Sequence, residues 1–205
     1  MQGYIININK VKDEDLIVTI LCNDKVYTTY RFYGARHSNI NIGYKIDFEL
    51  ETNIKSTIPR LKDVLHLGFS WILDYHKMYQ WQNFLKLFYN HLKDVDEIDS
   101  FYFDMLEQLV IKISKQNIKR AIIESYISLC EHEGRLHQDF ICLLCEDNIT
   151  DNISLIRGFI PTHPHCSYSF NFKLHEIKKL FDDKTTINLN DTQIEYLWSV
   201  LLQGL

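Results

Sequence analysis

The sequence predicts an α+β protein, with a small OB-like β-barrel at the N-terminus followed by an α-helical domain that carries a zinc-finger-like insertion. Three observations predict it. Apolar and polar residues alternate through most of the first 65 positions, apolar residues recur at three- and four-residue spacings from about position 70, and three of the five cysteines gather with two histidines between 142 and 166.

YIININ at 4–9, DLIVTILC at 15–22, KVYTTYRFYG at 25–34 and YKIDFELE at 44–51 are rich in β-branched and aromatic residues and have a period of two. Separated by the turn-forming pair Asn23-Asp24 and by a loop at 37–43, they read as antiparallel strands. A fifth strand is expected within 56–67, where Pro59 marks an edge or a strand start. Four or five short strands in so short a stretch suit a small OB-like or SH3-like barrel.

The period changes near Gly68. Runs at 70–92, 99–114 and 117–133 show helical spacing, and the third stops at Gly134, which suits a C-terminal cap. Three helices in sequence predict a bundle. Two more helices are expected at 172–181 and 192–202, the latter opening on a capping box formed by Thr192 and Glu195. The division this predicts is a barrel domain over 1–68 and a helical domain over 69–205, with the Cys/His insertion at about 138–170.

Charge is uneven along the chain. The formal net charge is -5, but residues 1–62 hold nine Lys and Arg against seven Asp and Glu, while the remainder holds thirteen against twenty. A basic N-terminal part on an acidic molecule points to a local anion-binding rim. The opening residues lack a signal-peptide core, and no apolar run is long enough to cross a bilayer, so a cytoplasmic protein without a membrane partner is expected. No glycine-rich phosphate loop, G-x-S-x-G elbow or H-E-x-x-H helix occurs, and no enzymatic activity is expected. Asp13, Glu14 and Asp15 do not converge as an acid/base pair would, and read as a solvated turn.

Cys142-x2-Cys145 and His163-x2-Cys166 are two knuckles seventeen residues apart. A two-residue gap lets a turn aim both side chains at one point, and four sulfur and nitrogen donors without a carboxylate suit a closed tetrahedral zinc site. His165 is an alternative to His163. Pro161 and Pro164 argue for a turn and against a helix there. The competing readings are a small buried hydrophobe at Cys142 beside a solvated histidine loop, or a redox pair. The latter needs a cationic neighbour, where Glu146 and Asp147 stand instead. Cys22 and Cys130 read as core residues.

At the end of the third strand, Tyr30, Arg31, Tyr33, Arg36 and His37 interleave rings with cations. Aromatic faces stack on unpaired bases while guanidinium groups meet phosphates. Core packing is the competing reading for such rings.

Three features then resemble the RecO recombination mediators of bacteria: Asp13-Glu14-Asp15-Leu16-Ile17 at the entry to the second strand, Tyr33-Gly34-Ala35-Arg36-His37-Ser38 after the third, and a cysteine knuckle following the first helices. The order of the parts agrees as well. Family members commonly carry a second Cys-x2-Cys knuckle, where this chain has His163-x2-Cys166. The resemblance implies a non-enzymatic role in DNA repair and recombination: binding single- and double-stranded DNA, promoting annealing, engaging RecR and the C-terminal tail of SSB, and helping RecA onto coated strands. On this reading Arg31, Arg36, His37, Lys45, Lys55, Arg60 and Lys62 contact phosphates, and Tyr30 and Tyr33 are stacking rings. The alternative is a protein-interaction scaffold with a structural zinc site and no direct contact with nucleic acid.

Overall fold

A computed structural model describes residues 1–36, 39–54 and 56–205. The described residues form two compact units, Met1–Ser114 and Lys115–Leu205.

The first unit begins with five strands: β1 (Gln2–Lys10), β2 (Leu16–Leu21), β3 (Val26–Arg31), β4 (Lys45–Asn53) and β5 (Ser56–Leu67). They close into a barrel in the order β1-β2-β3-β5-β4, with β4 returning to β1. All pairings are antiparallel except that of β3 with β5, which runs through Tyr30 and Arg60. The register of β1 against β2 shifts between Ile5 and Asn7, and that of β4 against β5 shifts twice. Such bulges add the local bend by which a short sheet closes on itself.

Alternation sets the inside of the barrel. Leu16, Val18 and Ile20 of β2 meet Ile5, Ile46, Phe48 and Leu61 in one apolar core, joined by Cys22 and Ile40. Burial pushes the Cys22 thiol up to about 12, so it packs as a small hydrophobe. The fifth strand takes in the whole of 56–67, with Pro59 tolerated beside the sparse β3–β5 pairing.

Two helices, α1 (Tyr75–His91) and α2 (Ser100–Lys115), complete this unit. The helix expected from position 70 starts at Tyr75, because the Asp74 side chain caps it by accepting from the amide of Lys77. Before the cap, Trp71 is buried and its Nε1 donates to the Val110 carbonyl. Tyr4, on the outer face of β1, packs edge-on against Trp81 at 6.0 Å and donates to Glu107 of α2 at 2.6 Å. Burial first, and the Glu107 carboxylate second, push the Tyr4 hydroxyl far above the ordinary tyrosine range, which keeps it a donor.

The second unit holds α3 (Ile118–His132), β6 (Asn152–Ile156), β7 (Ile160–Thr162), α4 (Pro164–Ser167), β8 (Phe172–Lys173), α5 (Leu174–Asp183) and α6 (Asp191–Leu201). The expected three-helix bundle is therefore divided: α1 and α2 belong to the barrel's unit, and α3 packs against α6 in the second. The change of period near Gly68 marks the last barrel strand, whereas the compact unit runs on to Ser114. Asn117 caps α3, and Gly134 follows its end at φ 67. A three-stranded sheet of order β7-β6-β8 lies where the sequence predicts no strand. Its strands of five, three and two residues are too short to show a period. The helix expected from 172 starts at Leu174, because Phe172 and Lys173 pair with β6. The last helix is capped by Asn190 with Gln193, two residues before the expected Thr192 box. Among the described residues no helix is long and apolar enough to cross a membrane.

Gly43 carries a testable constraint. Its φ is +91, a Cβ there would lie 2.7 Å from the Trp81 ring, and its carbonyl accepts from Trp81 Nε1 at 2.9 Å. Gly43→Ala is expected to lower stability by about 2–4 kcal/mol through backbone strain and overpacking, measured by urea unfolding followed by tryptophan fluorescence.

Candidate nucleic-acid face and candidate metal centre

The β2–β3 hairpin builds the first site. Its register opposes Leu16 to Arg31, so the turn before β2 lies beside the chain that leaves β3. Asp15 uses both oxygens there: Oδ2 accepts from the Tyr30 hydroxyl at 2.6 Å and Oδ1 from the Tyr33 amide at 2.8 Å. The Tyr30 hydroxyl first, and then the Tyr33 amide, hold the Asp15 carboxyl below its ordinary range, and Tyr30 is pushed up in return. Glu14 pairs with Arg36, and its carbonyl accepts from the Ala35 amide at 2.9 Å. The acidic triplet is thus more than the solvated turn the sequence suggested: it fastens the basic loop.

The cations separate into two groups. Arg31 donates to the Leu61 carbonyl at 2.8 Å, and Lys45 reaches Glu107 of α2 at 2.8 Å with its side chain 18% exposed. Both are taken up by the fold. Arg36 and Lys62 are exposed and Arg60 half-exposed, but each has a carboxylate: Glu14 for Arg36, and Glu51 for Arg60 at 3.8 Å and Lys62 at 2.6 Å. His37 and Lys55 lie outside the described residues.

Rings accompany these cations. The Arg60 guanidinium lies 4.8 Å from the Phe32 ring, and that of Arg36 lies 5.3 Å from Tyr33. Phe32 is 44% exposed and Tyr33 58%, whereas Tyr30 is half-buried and packs edge-on against Phe32 at 4.9 Å. Phe32 is an exposed ring on this face that the sequence reading did not single out. The available signal was spacing, because a residue two after Tyr30 continues the same face of the chain.

The second site lies in the second unit. Ile141 bridges to Asn148, and between them the amide of Cys142 donates to the Asp147 carbonyl and that of Glu146 to the Cys142 carbonyl. Glu146 takes the left-handed conformation, φ 62, that lets this turn close. The other knuckle is a helical turn and not the plain turn expected, because Pro164 occupies the first position of α4, where its missing N–H costs nothing.

Cys142, Cys145, His163 and Cys166 bring their donor atoms within 4.8 Å of one another. His163 enters through Nδ1, 3.3 Å from Cys145 Sγ and 3.9 Å from Cys166 Sγ. His165 stands outside this group, its ring stacked on that of His163 at 5.1 Å. Burial pushes the Cys142 thiol up, but the amides of His163, Cys145 and Leu144 outweigh it and bring it down to about 6. Burial and the neighbouring sulfurs of Cys145 and Cys142 push Cys166 up to about 11. Three sulfurs this close cannot all ionise together unless a cation joins them. The four donors fit a tetrahedral metal of borderline softness, and zinc held there would pin both knuckles together.

Elemental analysis of the purified chain is expected to give about one zinc per molecule. Cys166→Ser and His163→Ala should lower that content sharply, while His165→Ala should leave it unchanged. A wild-type zinc content near zero would refute the metal reading.

Residues 1–72 of the 205 match the family described as RecO N terminal. No curated protein matches the chain. The matched residues take in all five barrel strands with the basic face, so the N-terminal part of this chain is similar to RecO N-terminal domains, in line with the resemblance its sequence carries.

Proposed function

We propose that the chain acts as a non-enzymatic DNA repair and recombination mediator whose barrel holds DNA, single strands above all. The supporting observation is the pair of exposed rings, Phe32 and Tyr33, each beside a guanidinium, on a barrel similar to RecO N-terminal domains. Every base presents a π-face, so such a platform takes single strands of any sequence, while cations follow the backbone. The ion pairs on this face are solvent-exposed and of the kind that adds little net stability. Phosphates can therefore replace Glu14 and Glu51 at small cost, and displaced counterions drive the exchange.

Arg36, Arg60 and Lys62 are assigned to the phosphates, and Phe32 joins Tyr33 as a stacking ring in place of Tyr30. Arg31 and Lys45 are not offered, since both are held by the fold. The RecO reading carries its partners with it: double-stranded DNA for annealing, RecR, the SSB tail, and RecA indirectly. It also carries a cytoplasmic setting, in which the Cys/His thiols stay reduced and available to a structural zinc.

A second reading, the protein-interaction scaffold, is favoured by a specific observation. Each described cation of the expected set already has a carboxylate or carbonyl partner, and residues 63–205 are acidic. An acidic surface repels DNA and can meet a basic protein.

Fluorescence anisotropy with a labelled oligothymidylate at low and moderate salt separates the two. Arg36→Ala with Arg60→Ala is expected to weaken binding and to flatten the log-log salt slope by about 1.4, or about 0.7 for each lost phosphate contact. Phe32→Ala should weaken binding by about 1–3 kcal/mol with little change in slope. Absence of binding by wild type at low salt would support the scaffold.

A further inference from the structure

We propose that the acidic turn before β2 is an autoinhibitory latch: Glu14 stands in for a phosphate on Arg36, and Asp15 locks the Tyr33 backbone, until a nucleic-acid phosphate displaces them. The proposal rests on the DNA-binding reading above.

Three separate contacts hold the latch. The Glu14 carboxylate pairs with Nε of Arg36, the Glu14 carbonyl takes the Ala35 amide, and the Asp15 carboxylate bridges the Tyr30 hydroxyl and the Tyr33 amide. An ordinary solvated turn needs none of them. Tyr33 adds a second kind of observation. Its φ is 51, in the left-handed region that a bulky residue rarely adopts, and its amide is held there by Asp15. Loss of that hydrogen bond frees Tyr33 to return to ordinary backbone, and its ring moves with it.

The two arginines are not equally engaged. Arg60 shares Glu51 with Lys62 and stands 3.8 Å from it, so it has capacity left for an incoming anion. Arg36 faces a carboxylate of its own. A strand therefore meets Arg60 and Phe32 first, and a following phosphate replaces Glu14 at Arg36. No covalent step is involved, since one oxyanion partner is exchanged for another.

The test uses the full chain and the same labelled oligothymidylate at low salt. Glu14→Gln keeps size and polarity but removes the charge, and it is expected to bind about three- to fivefold more tightly than wild type. The gain should vanish when Arg36→Ala is added, because the latch acts through that guanidinium. A second readout needs no DNA: amide hydrogen exchange at Ala35 and Arg36 should quicken in Glu14→Gln and in Asp15→Ala, while exchange within β1 and β2 stays unchanged. If wild type binds and Glu14→Gln binds no better, the latch is wrong and the DNA reading stands. A gain that persists without Arg36 is a general charge effect and also overturns the latch. Failure of every form to bind overturns both.

Discussion

The pairing of Leu16 with Arg31 in the β2–β3 hairpin decides where charge lies on the first unit. With that register, Asp15 lies beside the chain leaving β3, and Glu14 meets Arg36. A slip of one residue would turn Leu16, Val18 and Ile20 out of the core, so the apolar interior enforces an electrostatic arrangement on the surface. The rim is basic in sequence yet largely neutralised in space, because the same hairpin delivers cations and carboxylates together.

The two sites use opposite physics. On the barrel face, charges meet in water, where pairing is weak and partners exchange readily. In the Cys/His cluster, sulfurs crowd one another under partial cover, so they either hold protons or share a cation. The first arrangement suits a reversible contact and the second a permanent one.

Legibility in the sequence followed length and period. The strands could be read because each is a β-branched and aromatic run bounded by turn-forming residues, and the helices because their apolar stripes run for more than ten. The gathering of the four Cys/His donors was legible as well, since Cys-x2-Cys and His-x2-Cys spacing reports turn geometry directly. The short sheet β7-β6-β8 was not, nor was the Asn190 cap, which preceded a plausible competitor at Thr192. The largest gap concerned the cations. Sequence shows that Lys45 and Arg36 are basic, but only three-dimensional pairing shows that one lies against α2 and the other against Glu14. Proximity to residues 22 or 62 positions away leaves no local trace.

The β3–β5 junction has a mechanical consequence. Four joints of the barrel are multi-residue antiparallel ladders, while the fifth rests on the single parallel pair of Tyr30 with Arg60. Elastic deformation of a closed ring concentrates at its softest seam. That seam carries Arg60 and adjoins Phe32, so the backbone ladder is thinnest where the exposed ring and its guanidinium stand, across the barrel from the strand that Tyr4 and Trp81 brace.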